Sequence, residues 1–211
     1  LQLLVQGEGI SEYNVAIEGG KGVSVEKINK ADSPNYLFVD VKVASNAQPG
    51  TYYIVFSKDG QSFKYPYEIA ARREGSAERT SFTTADMIYL IMPDRFANGD
   101  PSNDSVEGMP DKLARDLPFG RHGGDIQGII DHLDYISELG ATAIWCTPLI
   151  EDNLPRVTYH GYACTDYYHI DARFGDNDLF RTYVQKAHEK DLKIIMDIVP
   201  NHAASGHWWM E

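Results

Sequence analysis

Cysteine is scarce: Cys146 and Cys164 are the only 2 in 211 residues. They are too few for a disulfide framework and lack the spacing of a zinc knuckle. Cys146 reads as core packing and Cys164 as a loop residue, with a bridge between them left open. Basic residues are also few. Against 31 Asp and Glu stand 19 Lys and Arg, giving a formal net charge of −12 and a pI near 4.9. These cations are spread thinly along the chain, which argues against a nucleic-acid partner and favours an uncharged ligand. No apolar run approaches the ~18 residues of a membrane span. The opening Leu1-Gln2-Leu3-Leu4-Val5 has neither an initiator methionine nor the basic flank and cleavage site of a leader. A processed or trimmed N-terminus is the expectation. Internal repeats and low-complexity segments are missing as well.

What is present is ample apolar material, 43% of residues, enough for one large or two smaller cores. Residues 1–72 read as short strands. Leu37-Phe38-Val39-Asp40-Val41-Lys42-Val43 and Thr51-Tyr52-Tyr53-Ile54-Val55-Phe56 alternate, and Asp32-Ser33-Pro34-Asn35, Gln48-Pro49-Gly50 and Lys58-Asp59-Gly60 supply tight turns. The expectation is a small all-β sandwich. Residues 73–85, beginning in the polar run Arg72 to Arg79, carry no apolar face and read as a linker.

From Asp86 the pattern becomes strand, helix, strand, helix, strand. Strands are expected over 87–92, 141–146 and 192–199, and helices over 125–139 and 178–190. The first helix places Ile126, Ile129, Ile130, Leu133, Ile136 and Leu139 on one face and ends at Gly140. Strands apolar on both faces and joined by helices imply a parallel sheet, either a barrel or a doubly wound sheet. Pro93-Asp94-Arg95-Phe96 stands where a doubly wound sheet would carry its Gly-rich turn, which favours the barrel.

Three segments carry chemistry. Asn98-Gly99-Asp100-Pro101-Ser102-Asn103-Asp104 concentrates oxygen-bearing side chains of the kind Ca²⁺ prefers, without the offsets of an EF-hand. The same run also fits a solvated turn. Asp125, after Gly123-Gly124, fits either a helix cap or a metal ligand. Tyr159-His160-Gly161-Tyr162, followed by Thr165-Asp166-Tyr167-Tyr168-His169-Ile170-Asp171, offers aromatic faces for a pyranose ring and His and Asp groups for its hydroxyls. Lys193-Ile194-Ile195-Met196-Asp197-Ile198-Val199-Pro200-Asn201-His202 delivers Asp197, Asn201 and His202 at a strand's C-terminal end, where barrel enzymes keep their chemistry.

Together these segments resemble the α-amylase superfamily of glycoside hydrolases, most closely its neopullulanase, cyclomaltodextrinase and maltogenic amylase branch. Asp197-Ile198-Val199-Pro200-Asn201-His202 is similar to that superfamily's first short signature, with Pro200 a variation. Tyr159-His160-Gly161-Tyr162 is similar to its sugar-stacking element. Residues 91–104 with Gly123-Gly124-Asp125-Ile126-Gln127-Gly128-Ile129 are similar to the branch's calcium loop and first helix. The resemblance implies an N-terminal immunoglobulin-like all-β sandwich followed by the first part of an α/β (β/α)8 TIM barrel, with residues 86–211 forming its first three β/α units. It implies Ca²⁺ held by Asn98, Asp100, Asn103, Asp104, the Gly123 carbonyl and Asp125. It also implies Tyr162 stacked on a sugar, His160 and His202 on its hydroxyls, and Asp197 bracing the site.

The implied activity is retaining hydrolysis of α-1,4 glucosidic bonds, with α-1,6 bonds left open, in starch, pullulan or cyclodextrins. The implied compartment is periplasmic or secreted. A complete barrel takes about 250 residues, and the superfamily's nucleophile, acid/base and third carboxylate follow later strands. The resemblance therefore puts the nucleophile and acid/base beyond Glu211. No catalytic residue is assigned, and the chain is expected to be inactive alone. The alternative is a carbohydrate-binding or dimerisation module built on the sandwich. Homodimerisation of the whole protein stays open.

Overall fold

The computed structural model describes residues 1–210. Glu211, the position beyond which the nucleophile and acid/base are expected, lies outside the described residues. The chain divides into two compact units, Leu1–Arg79 and a second that begins at Thr80.

The first unit holds six antiparallel strands: β1 (Gln2–Gln6), β2 (Asn14–Glu18), β3 (Val23–Lys30), β4 (Tyr36–Val43), β5 (Gly50–Lys58) and β6 (Gln61–Ile69). They form two three-stranded sheets, ordered β1-β4-β3 and β2-β5-β6. Alternation does the sorting. On β4, Leu37, Val39 and Val41 point inward, and on β5 Tyr52, Ile54 and Phe56 meet them in one core. Tyr53 and Tyr65 face outward at 41% and 61% exposure. Beside the core lies an open apolar cavity of about 490 Å³, walled by Leu4, Ile10, Tyr13, Phe63, Tyr65 and Tyr67.

The second unit is built on a parallel sheet ordered β11-β8-β7, from β7 (Ile88–Ile91), β8 (Ala143–Cys146) and β11 (Lys193–Met196). Its registers pair Ile88 with Ala143 and Ala143 with Lys193, so Ile91, Cys146 and Met196 end level. The loops that follow them therefore leave from one edge. At the opposite edge Asp86 gathers the three strand starts. Its carboxylate accepts from Lys193 Nζ at 2.8 Å and Thr142 Oγ1 at 2.9 Å, while Met87 N donates to Thr142 Oγ1. The Lys193 ammonium, with the Thr83 amide and Thr142 hydroxyl, holds the Asp86 carboxyl down at about 2.

All three strands are shorter than the sequence pattern suggests, and only one sheet face is covered. Ile91, Ile144 and Cys146 pack against the helices, whereas Leu90 and Trp145, paired on the other face, are 56% and 38% exposed. The apolar runs suggest burial on both faces, but hydrophobicity alone does not reveal which face has a partner. Asp197 lies just beyond β11 and is half-buried, so the strand expected over 192–199 stops short of it.

Besides α1 (Pro93–Phe96), the sheet carries α2 (Ile126–Asp131), α3 (Leu133–Glu138) and α4 (Asn177–His188). The single helix expected over 125–139 is two, interrupted at His132, whose backbone leaves the helical region (φ −113°, ψ 15°) and whose Nδ1 lies 2.7 Å from Gly128 O. The apolar face continues across the break, with Ile130, Leu133 and Ile136 all buried, and Leu139 falls outside it. Asp125 and Asp176 cap α2 and α4 by accepting from Gly128 N and Leu179 N. A two-residue β9 (Ile150–Glu151) pairs with β10 (Asp166–Ile170), and the segment between them forms a long arm. Both cysteines are buried and free.

Candidate functional site

The site is assembled where β8 and β11 end. Asp197, the first residue after β11, accepts through Oδ2 from Trp145 Nε1 at 3.1 Å and from the Tyr162 hydroxyl at 3.0 Å. Tyr162 sits on the arm between β9 and β10 and remains 38% exposed, so its ring is tethered at the phenol and open on its face. Burial, then the neighbouring Asp197 carboxylate, raises the Tyr162 phenol above its ordinary value and keeps it a donor.

Histidines set the arm. Tyr162 N donates to His160 Nδ1 at 2.9 Å, and the imidazole's pKa is lowered by burial. A neutral ring that accepts at Nδ1 carries its proton on Nε2. His202 Nε2 lies 3.0 Å from Tyr162 O and its Nδ1 lies 3.3 Å from Asn201 Nδ2. Both ring nitrogens of His202 thus face protein groups, and its observed part is to hold the Tyr162 backbone. Tyr167 braces the loop after β11 by donating its hydroxyl toward Val199 O and His202 O. The structure brings Tyr162, His160, Asp197 and His202 into one cluster through these contacts. The sequence pattern missed Trp145, because an aromatic inside an apolar run reads as core; Tyr167, read with its neighbours as a sugar-facing aromatic, instead braces the loop.

Beneath the arm lies a charged layer, and Asp171, read from the sequence as a group for sugar hydroxyls, is buried within it and committed to Arg173. Arg173 and Asp171 are fully buried and bidentate, Nε to Oδ1 at 2.9 Å and Nη2 to Oδ2 at 2.7 Å. Arg173 also donates to the carbonyls of Asp111 and Asp152. Asp152, at the root of the arm, is 1% exposed; its Oδ2 accepts from Ala163 N at 3.3 Å and its Oδ1 has no partner. Burial pushes its carboxyl up to about 7, opposed by the Ala163 and Leu154 amides.

A raised acid binds its proton more tightly folded than unfolded. Its contribution to stability is complete below about 4 and is lost as the pH rises through about 7. An Asp152→Asn substitution is expected to flatten the stability profile in that window, with wild type losing ground to the variant toward neutral pH. Urea unfolding at several pH values reads this, and parallel profiles would refute it.

The oxygen-rich loop behaves differently at each residue. Asp125 accepts from Gly99 N, Asp100 N and Gly128 N, with Asn103 Nδ2 at 3.4 Å, so its lone pairs are largely committed to closing the loop onto α2. Asp100 Oδ1 accepts from Ser102 N and Oγ. By contrast, the side-chain oxygens of Asn98 and Asn103 are buried without partners. Asp104 Oδ1 stands 2.6 Å from Asn98 Nδ2, and Gly123 passes so close, in the left-handed region (φ 83°), that a methyl there would strike Asp104 Oδ1. Among the described residues no three His, Cys, Asp or Glu side chains gather as a metal cluster. The loop's side chains offer hard amide and carboxylate oxygens instead. Two orphaned carbonyl oxygens beside a carboxylate fit a Ca²⁺ ion, since leaving them unpaired is otherwise costly.

In chemical terms the strand-end cluster offers an open aromatic face with hydrogen-bonding groups around it, the equipment of a carbohydrate-handling enzyme domain. Sequence comparison agrees. The family described as alpha amylase, catalytic domain, matches residues 90–211 and that described as cyclomaltodextrinase, N-terminal, matches residues 1–73. The chain belongs to the alpha-amylase family and carries a cyclomaltodextrinase-type N-terminal domain. It is 44% identical over 130 residues to neopullulanase 2 of Thermoactinomyces vulgaris, covering 58% of this chain and 21% of that protein. It is 42% identical over 117 residues to a cyclomaltodextrinase of a Bacillus species, covering 56% and 20%. Among solved structures, an Anoxybacillus alpha-amylase superposes with TM-score 0.54 at 46% identity, over 59% of this chain and 26% of that one. The chain thus spans about a fifth of the length of these curated relatives.

Proposed function

We propose that this chain supplies the N-terminal part of a retaining α-glucan hydrolase acting on α-1,4 bonds, with α-1,6 bonds as a second target, in starch, pullulan or cyclodextrins. The observation that carries the reading is the half-exposed Tyr162 ring tethered by its hydroxyl to Asp197 at the C-terminal edge of the parallel sheet. Relatives named cyclomaltodextrinase and neopullulanase support the substrate class. On this reading β7, β8 and β11 are the first three strands of a (β/α)8 barrel. Residues 1–72 are its accessory sandwich, 73–85 the linker and 86–211 the opening β/α units. A polysaccharide substrate favours an exported compartment; no helix among the described residues is long and apolar enough to cross a membrane.

Tyr162 stacks on the sugar, the exposed edge of His160 reaches a hydroxyl, and Asp197 orients the tyrosine while His202 holds its backbone. Retaining hydrolysis requires two carboxyl groups about 5 Å apart. The cluster brings one carboxylate, Asp197, and it is already occupied as a brace. The 211-residue chain is therefore expected to release no reducing sugar from starch, pullulan or β-cyclodextrin, whereas a longer protein containing it does. Steady release by the chain alone, or a longer protein acting only on β-linked glucans, would sink the reading.

Ca²⁺ belongs in the proposal as a structural ion. Asn98, Asn103 and Asp104, with the Gly123 carbonyl, would supply its nearest oxygens, and Asp100 and Asp125 would complete or brace the cradle. A bound ion neutralises the loop charge and stabilises the folded second unit. At a hundredfold excess over its dissociation constant the gain is about 2.7 kcal/mol. Adding Ca²⁺ should raise the unfolding midpoint of the native chain and not of Asp104→Ala; identical midpoints with Ca²⁺ and with chelator would exclude the site.

A second reading, that the sandwich itself binds glucan or a second copy, is favoured by the apolar cavity bordered by Phe63 and Tyr65, 48% and 61% exposed.

A further inference from the structure

We propose that Asp111 and Arg121 are positioning residues that fix the Tyr159–Tyr162 arm, an inference that rests on the sugar-binding reading of that arm. The arm is rooted at Thr158, which is fully buried and follows Val157 in the left-handed region (φ 61°). One carboxylate oxygen, Asp111 Oδ2, accepts both the amide and the hydroxyl of Thr158, each at 2.9 Å. Arg121 Nη1 reaches the same residue from the other side, 3.1 Å from Oγ1 and 3.4 Å from the carbonyl oxygen. The Thr158 hydroxyl is thereby oriented, donating to Asp111 and accepting from Arg121. Thr158 O also accepts from Gly161 N at 3.1 Å, which closes the turn leading to Tyr162.

Neither residue lies on the arm. Asp111 and Arg121 belong to the excursion between the oxygen-rich loop and α2, pinched shut by the Leu113–Arg121 bridge and by Ala114 N donating to Arg121 O. That excursion is itself held. Arg121 is fully buried with its Nε 3.7 Å from Asp94 Oδ1 and its guanidinium 4.7 Å from the Phe174 ring centre. Asp94 accepts from the His122 and Gly123 amides and from Arg95 Nε, and the Arg95 guanidinium lies 4.3 Å from the ring centre of Tyr159. The start of the arm's first turn, Thr158 and Tyr159, is thus set by residues 94–121. The Arg121 guanidinium is deeply buried with Nε and Nη2 lacking hydrogen-bond partners, and the carboxylates of Asp171, Asp94 and Asp111 around it offset the cost of burying its charge.

The test uses the full chain and two readouts. In Asp111→Ala, amide exchange at Thr158, Gly161 and Tyr162 should accelerate about tenfold or more, with the capped amides Gly128 and Leu179 unchanged. Maltoheptaose binding should weaken about tenfold in the same variant. Asp111→Asn keeps an acceptor oxygen for both Thr158 donors and should restore both readouts. Unchanged exchange at the arm, acceleration spread equally to the caps, or failure of Asp111→Asn to restore it would overturn the proposal. If the native chain does not bind maltoheptaose, the sugar-binding reading fails and the exchange result still decides the positioning role.

Discussion

Arg173→Met is expected to cost the second unit about 3–5 kcal/mol, the scale set by removing one partner of a buried ion pair. Asp171 would keep its burial and lose both Arg173 donors, while the carbonyls of Asp111 and Asp152 would lose theirs. Arg173→Lys should rescue little, because an ammonium cannot bridge two carboxylate oxygens and two carbonyls in one plane. The measurement is unusually clean in this chain. All 3 tryptophans, Trp145, Trp208 and Trp209, belong to the second unit, so urea unfolding followed by tryptophan fluorescence reports that unit alone. A loss below about 1 kcal/mol would place Arg173 among exposed pairs in energetic terms and contradict its assigned role.

The second large effect is expected at Gly161. Its backbone is left-handed (φ 75°), and a methyl there would drive into the carbonyl oxygen of Pro148, a backbone atom with no rotamer to yield. Gly161→Ala therefore adds about 1–2 kcal/mol of backbone strain and cannot keep the turn that presents Tyr162. Affinity for maltoheptaose is expected to fall at least about tenfold, more than the change in fluorescence-detected stability explains. Equal affinity in the variant would show that the arm's conformation is immaterial to binding.

Much of the fold was legible because local chemistry and burial agree. Alternation on β4 and β5 names the sandwich core, and the apolar runs around Ile91, Ile144 and Ile194 name the parallel strands. Asp125 announces a helix start, since a short acceptor before an apolar period caps free amides. The break at His132 was not legible. Periodicity records which side faces the sheet, and Leu133 and Ile136 stay on that side whether or not the hydrogen-bond ladder is continuous. Strand ends were overestimated for a related reason: Ile198 looks like strand but is 52% exposed beyond β11.

At the site, Tyr162, His160, Asp197 and His202 were legible because polar and aromatic residues at strand ends stand out against apolar runs. The layer beneath was not. Arg121 and Arg173 are charged residues drawn inside by Asp94, Asp111 and Asp171, and composition places Arg on the surface unless its partners are known. Trp145 was hidden within its strand, although its indole N–H is what shares Asp197 with Tyr162.

The most direct test of the central claim is a calorimetric titration of the purified chain with maltoheptaose beside cellopentaose, repeated with Tyr162→Ala, Asp197→Ala and Tyr65→Ala. Saturable binding of the α-linked sugar alone, lost in Tyr162→Ala, weakened in Asp197→Ala and kept in Tyr65→Ala, is the predicted result. Equal heats for both sugars, or binding that survives Tyr162→Ala and disappears in Tyr65→Ala, would contradict it, the latter moving the sugar to the sandwich.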